Sequence, residues 1–136
     1  MSTTQEAKRR AQRARKASEA HRDGAKKALE KTKSAPYTKD KQPPAKKAIA
    51  HAEQAKRAAE DAEEEANIAA KHCDSRSDED IDDLGDAWEA AIAAEEASDE
   101  AKRDAKEAAE QAELSPEEVD EAGQDRITAP APPRRS

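Results

Sequence analysis

The chain has 136 residues, 42% of them charged, and a formal net charge of −7. Alanine supplies 33 of the 46 apolar residues, so the large side chains that fill a globular core are too few for a compact domain of this length. The single cysteine excludes an intrachain disulfide, and no apolar run approaches the roughly 18 residues of a membrane span.

Disorder is the first alternative that this composition raises. Leu, Ile, Val and Phe together make up only 9 residues, a proportion typical of disordered chains. Against this, Ala, Glu, Lys, Arg and Gln are the strongest helix formers, and they dominate three long stretches of the chain. The sequence therefore favours helices over a disordered chain.

Alanine recurs at alternating spacings of three and four residues in each of these stretches. A mean spacing of 3.5 residues keeps one narrow stripe facing a neighbouring helix, as in coiled coils. The first stripe is Ala7, Ala11, Ala14, Ser18, His21, Ala25, Ala28 and Thr32. The second is Ala45, Ala48, Ala52, Ala55, Ala59, Ala62, Ala66, Ala69 and Cys73. The third is Ala87, Ala91, Ala94, Ser98, Ala101, Ala105, Ala108 and Ala112.

The first predicted helix covers about 4–33, with Thr3 as its N-cap, and ends before Pro36 because the residue preceding a proline avoids the α region. The second covers about 44–73, with Pro44 in its first turn, where a missing N–H costs least. A polar loop over 36–43 separates the two helices.

The third predicted helix covers about 78–114 and opens at Ser77, and a short fourth one covers 116–122 after Ser115. Residues 124–136 are predicted to be a flexible Pro-rich tail. Long helices of equal length with short turns predict one all-α domain over 1–123, an up-down-up antiparallel bundle with a coiled-coil-like seam.

The few larger apolar residues cluster near the two turns between the long helices. Leu29 and Ile49 fall near the first turn, and Ile68, Cys73 and Trp88 fall near the second. These clusters are expected to close the ends of the alanine seam. For Trp88 the main expectation is packing at the turn, and the alternative is an anchor for a protein partner, since tryptophan is enriched at interface hot spots.

Charge is strongly segregated along the chain. Residues 1–34 carry 11 basic and 4 acidic side chains, whereas residues 78–114 carry 3 basic and 15 acidic ones. Three explanations remain open: complementarity between the first and third helices, a nucleic-acid contact by the first helix, or a solvated polar surface. The candidate contact residues for nucleic acid or an acidic partner are Lys8, Arg9, Arg10, Arg13, Arg15 and Lys16.

No constellation of residues predicts catalysis, a metal site or a bound cofactor. Adjacent helical residues point in different directions, so His72 and Cys73 do not form a metal site, and a structural zinc would need more ligands. A Cys–His nucleophile would require His21 or His51 to reach Cys73, which their positions on the helices do not favour. We therefore expect neither an enzyme nor a small-molecule substrate.

Membrane association is not expected either, because the apolar stripes consist mainly of methyl groups and lack the large side chains that insert into lipid. No apolar segment of a secretory signal is evident near residue 1, so a cytoplasmic location is the default expectation.

Three functional hypotheses follow. The leading one is a non-enzymatic structural or adaptor protein, acting through a protein partner or by self-association. The second is a nucleic-acid-binding accessory protein that uses the basic first helix. The third is a largely disordered protective protein of the desiccation type, because late embryogenesis abundant proteins have a similar Ala/Lys/Glu composition. Their signature is an 11-residue repeat, whereas the period here is seven.

Overall fold

The structure is a computed structural model that describes residues 2–129. It contains four helices, α1 (Thr3–Ser34), α2 (Thr38–His72), α3 (Asp78–Gln111) and α4 (Pro116–Gln124), and no strand within the described residues. The three long helices pack against one another, and α4 packs on α2. The predicted all-α fold with three long helices and a short fourth is confirmed.

Contacts between the helices establish their directions. Near its middle, α1 meets the middle of α2, where His21 lies beside His51. Lys8, at the start of α1, reaches Asp83 near the start of α3, and Lys33 reaches Glu107 near the other end. The first and third helices therefore run in the same direction and the second runs against them, which is the predicted up-down-up order.

The alanine stripes form the core almost as predicted. Along the third stripe every residue from Ala87 to Ala112 is buried, and all but two residues of the second stripe are buried. At the centre, the hydroxyl of Ser18 lies 2.8 Å from the carbonyl oxygen of Ala94 and 3.1 Å from that of Ala55. One small polar side chain thus links all three long helices where no larger side chain would fit.

Two apolar clusters occupy the two ends of the bundle. At one end, Leu29 and Ile49 are buried, and Leu114 and Val119 pack against them. At the other end, Ile68 and Leu84 pack around buried alanines of all three long helices. Leu29, Ile49 and Ile68 thus lie at the ends of the seam as their sequence positions predicted, whereas Trp88, which was expected in the second cluster, is 36% exposed.

The start of α2 differs from the prediction, since the helix begins at Thr38 and contains Pro43 and Pro44. Proline removes one backbone N–H, so these two leave the carbonyls of Lys39 and Asp40 without their helical donors. Both residues are exposed, so water can reach the freed carbonyls. The amino group of Lys41 donates to the carbonyl of Thr32 at 2.9 Å and so joins this first turn to the end of α1.

The helix caps follow the sequence at two of three predicted sites. At α1 the cap is Ser2 rather than Thr3, because the Ser2 hydroxyl accepts from the Gln5 N–H at 3.1 Å. Ser77 caps α3, and Ser115 forms a full capping box with Glu118 at α4. The difference at α1 shows that two adjacent hydroxyl residues compete for one cap position.

The segment after α4 returns towards the bundle. Residues 125–129 are not helical, and Thr128 lies beside Gly24, Lys47 and His51 in a depression between α1 and α2. Of the predicted flexible tail, residue 124 belongs to α4, and residues 130–136 lie outside the described residues. Among the described helices, none is both long and apolar enough to cross a bilayer.

Candidate functional site

The basic residues of α1 divide into two groups. Lys8 lies 3.1 Å from both Asp83 and Asp86 of α3, and these carboxylates raise the pKa of its amino group. Arg15 pairs with Glu19 on its own helix at 3.3 Å. The contacts of Lys8 with Asp83 and Asp86, together with the Lys33–Glu107 pair, support charge complementarity between α1 and α3 as the explanation of the segregated charge.

The other four basic candidates are exposed on α1: Arg9, Arg10, Arg13 and Lys16. Arg10 and Arg13 line a depression together with Asp61, Glu64 and Glu65 of α2. A phosphate placed there would meet three carboxylates as well as two guanidinium groups. The structure therefore does not bring the six candidates together as one uniformly basic surface.

Trp88 lies on the surface rather than inside a closed core. Its exposed fraction is 36%, and that of Ile92, one helical turn further along α3, is 56%. Ile81, two turns before Trp88 on the same face of α3, is 47% exposed. The main expectation for Trp88, packing at a turn, is thus replaced by a partly exposed position between α2 and α3.

These side chains border a depression that we call the α2–α3 groove. It consists of two adjoining cavities of about 220 and 410 Å³ that share Lys102. Its floor is formed by Ile49, Ala52, Ala59, Trp88, Ala91, Ile92, Ser98, Ala105, Ala109, Leu114 and Val119. From Trp88 to the end of α3 at Gln111 the groove extends for roughly 35 Å, since an α-helix rises 1.5 Å per residue.

The rim of the α2–α3 groove is predominantly acidic. Seven carboxylates and three lysines line it: Glu53, Lys56, Glu60, Glu63, Glu95, Asp99, Lys102, Lys106, Glu110 and Glu113. The net formal charge of this rim is therefore −4, and the carboxylates stand on both α2 and α3. A surface with apolar residues in the middle and charges around it has the general layout of a protein interface.

A second polar feature lies between α1 and α2, where the Nδ1 atoms of His21 and His51 are 3.0 Å apart. Burial lowers the pKa of His51 to about 4, and the nearby His21 and Lys47 contribute to the shift. Burial also lowers the pKa of His21. Both rings are therefore neutral at pH 7, so that one ring donates an Nδ1–H to the other.

Gly24 makes room for this histidine pair. A Cβ atom at position 24 would lie only 2.6 Å from Cε1 of His51 and 2.7 Å from its two ring nitrogens. Within a helix, a glycine is ordinarily only a weak point. His21 belongs to the predicted first stripe, but His51 flanks the second stripe, so periodicity alone did not show that the two rings meet.

The remaining reactive side chains lie far from this pair. Cys73 directly follows the last residue of α2. It therefore lies about 33 Å from His51 along the axis of that helix. Desolvation raises the pKa of its thiol, and Asp80 and Asp74 add to the shift, so the thiolate is disfavoured. Within residues 2–129, no group of three or more His, Cys, Asp or Glu residues is arranged to hold a metal ion.

Comparison with known proteins gives no further guide to the site. No protein-family model, no curated protein and no solved structure matches this chain. Any functional conclusion therefore depends on the residues and the geometry described above.

Proposed function

We propose that this protein is a non-enzymatic helical adaptor that binds a protein partner through the α2–α3 groove. The observation that carries the proposal is the exposure of Trp88 and Ile92 beside a groove whose floor is alanine and other apolar residues. Large apolar side chains are rare in this chain, and two of them stand on one exposed face. Contiguous exposed apolar surface of this kind is typical of interaction sites.

The rest of the molecule serves as a rigid support for this surface. Most residues of the alanine stripes of α1, α2 and α3 are buried between these helices. A nucleophile with an adjacent base, which acyl- or group-transfer chemistry requires, is not among the described contacts. We infer that this protein positions other molecules and does not transform a substrate.

Site-specific photo-cross-linking in cells that naturally make the protein tests this proposal. A photoreactive residue replaces Ile92 in one variant and the exposed Glu30 of α1, outside the groove, in the control. We expect adducts with a second protein from position 92 and none from position 30. Absence of adducts from position 92 would contradict the proposal, and adducts only at twice the 14.8 kDa chain mass would indicate self-association instead.

The two alternative functions receive less support from the same geometry. Nucleic-acid binding by α1 must accommodate the carboxylates beside Arg10 and Arg13, and Lys8 is already paired with α3. A protective protein that is largely disordered in water would have no use for a buried hydroxyl contact such as that of Ser18. Both alternatives remain hypotheses drawn from composition and charge.

A further inference from the structure

If the adaptor function proposed above is correct, the shape and charge of the α2–α3 groove limit which kinds of partner can bind there. Its floor combines five alanines and Ser98 with five larger side chains, so another helix can approach α2 and α3 closely where the small residues lie. Its length of roughly 35 Å corresponds to about six turns of a helix. A long, shallow, apolar groove between two helices is the usual receptor for the apolar face of an amphipathic helix.

The charge on the rim indicates which kind of helix fits. Seven carboxylates against three lysines would repel an acidic helix and attract a basic one. The same charge opposes pairing of this groove with the groove of a second copy, because carboxylates would then face carboxylates. A heterologous, basic partner is therefore favoured over a homodimer through this surface.

Within the bundle, the packing of α1 on α3 already shows a basic helix held against an acidic one. On one side of α3, the basic helix α1 lies on an alanine seam, with Lys8 held between Asp83 and Asp86 at 3.1 Å. On the other side, Glu95 and Asp99 follow Ile92 in the α2–α3 groove, four residues apart where Asp83 and Asp86 are three residues apart. The unoccupied side of α3 thus offers the same combination of small apolar residues and acids that already holds α1.

We propose that the α2–α3 groove binds an amphipathic helix of a partner protein, one with small or medium apolar residues on its buried face and Lys or Arg on its flanks. Trp88 and Ile92 then pack against the apolar face of that helix, and Glu95 and Asp99 pair with its basic flank. Because Trp88 is the only tryptophan of the chain, its fluorescence reports directly on occupation of the groove.

The full-length protein is titrated with designed peptides of about six helical turns that contain no tryptophan. The peptides share one apolar stripe at alternating three- and four-residue spacing, and their flanks are lysine and arginine, glutamine, or glutamate. We expect the basic peptide to shift Trp88 emission to shorter wavelength and to saturate the signal. Its affinity should fall between about 50 and 500 mM salt, because salt screens charge pairs at the surface.

Matched charge reversals inside and outside the groove test where the basic peptide binds. Glu95→Lys with Asp99→Lys should weaken the basic peptide about tenfold or more, because both residues line the groove. Asp23→Lys with Glu30→Lys makes the same change of net charge at exposed positions of α1, outside the groove, and should leave the affinity nearly unchanged. Circular dichroism checks that both variants remain helical.

Two results would overturn the inference. If the glutamine or glutamate peptide binds as tightly as the basic one, the groove does not select for a basic helix, although the adaptor function survives. If no peptide changes Trp88 emission, the groove does not receive a helix of this kind. Cross-linking from position 92 makes no assumption about the partner's charge, so failure of the adaptor function is recognised separately.

Discussion

At the scale of single residues, Gly24 and His51 show how a polar pair is fitted into a seam of alanines. His51 is 8% exposed, and its ring occupies the space that a side chain at position 24 would need. In an isolated helix, glycine costs about 1 kcal/mol relative to alanine. In this protein the packing of an imidazole ring between α1 and α2 offsets that cost.

Gly24→Ala is expected to destabilise the protein by about 1–2 kcal/mol, because the added methyl group displaces the His51 ring. In a His51→Ala background the same substitution should instead stabilise by up to about 1 kcal/mol, since only the helix preference remains. Urea unfolding of the four proteins of this double-mutant cycle measures both effects.

Gly85→Ala on α3 is the matched control for this cycle. Nothing lies within 4 Å of a Cβ at position 85, so this substitution should stabilise the protein as in an ordinary helix. If Gly24→Ala stabilises the wild-type protein as much as Gly85→Ala does, the ring does not occupy the space that the structure assigns to it.

The histidine pair also predicts a dependence of stability on pH. The pKa of His51 is about 4 in the folded protein and about 6.5 in the unfolded chain, so the unfolded state binds a proton first as the pH falls. The free energy of unfolding should therefore decrease by roughly 2 kcal/mol between pH 7.5 and pH 5, and this contribution should level off below about pH 4. Equilibrium urea unfolding at several pH values measures the slope.

Comparison of two variants tests whether the dependence of stability on pH arises from the His21–His51 pair. His51→Gln should flatten the dependence between pH 7.5 and pH 5, and a change in the exposed His72 to Gln should leave it as in the wild type. His21 and Lys47 contribute to the lowered pKa of His51, and neither is changed in the two variants, so the comparison isolates the ring at position 51. Equal slopes in His51→Gln and the wild type would contradict the assignment.

At the scale of the helices, close packing depends on keeping the buried stripe small. Ala94 is fully buried, and its carbonyl oxygen faces the Ser18 hydroxyl at the centre of the bundle. Methyl groups at this level allow α1, α2 and α3 to approach one another without strain. Any larger side chain must separate the helices or leave the seam.

Ala94→Leu is expected to destabilise the protein by about 1–3 kcal/mol through overpacking, although leucine is a good helix former. Ala70→Leu makes the same change at an exposed position of α2 and should alter stability by no more than about 0.5 kcal/mol. Thermal unfolding followed by circular dichroism compares the two variants. If the leucine at position 94 is harmless, the seam is not closely packed.

At the scale of the whole molecule, the bundle uses its own alanine stripes and leaves an acidic groove at its surface. Most residues of the three stripes are buried between α1, α2 and α3, and some of them also form the floor of the α2–α3 groove. The rim of this groove carries a net charge of −4, and Tyr37 and Ile81 are exposed outside it. Self-association through the stripes would require the bundle to open, and self-association through the groove would bring like charges together.

The purified protein should therefore be a monomer. Light scattering coupled to size-exclusion chromatography should give 14.8 kDa at concentrations from about 10 to 200 μM, with elution earlier than for a sphere because the helices are roughly 50 Å long. A mass that rises with concentration would contradict this prediction and would indicate that the protein self-associates.

Sequence periodicity alone predicted most of the residues that are buried along the long helices, although Ala50, Ala58, Ala90 and Ala97 are buried outside the predicted stripes. The alternation of three- and four-residue spacings depends only on the geometry of one helix, so the stripes, the two turns and the large residues at the ends were predictable. The capping residues Ser77 and Ser115 were also predictable, because a cap is a local contact between residues near in sequence.

Only the tertiary structure decided how the flanks of the stripes meet. A flank of α2 can face α1 or α3 depending on how the third helix is placed, and no local pattern encodes that choice. The contact of His21 with His51, the room left by Gly24, the exposure of Trp88 and the helical start that includes Pro43 all follow from it. The repeat within one helix predicts which of its faces is buried. Which residue of another helix lies opposite that face depends on how the helices assemble.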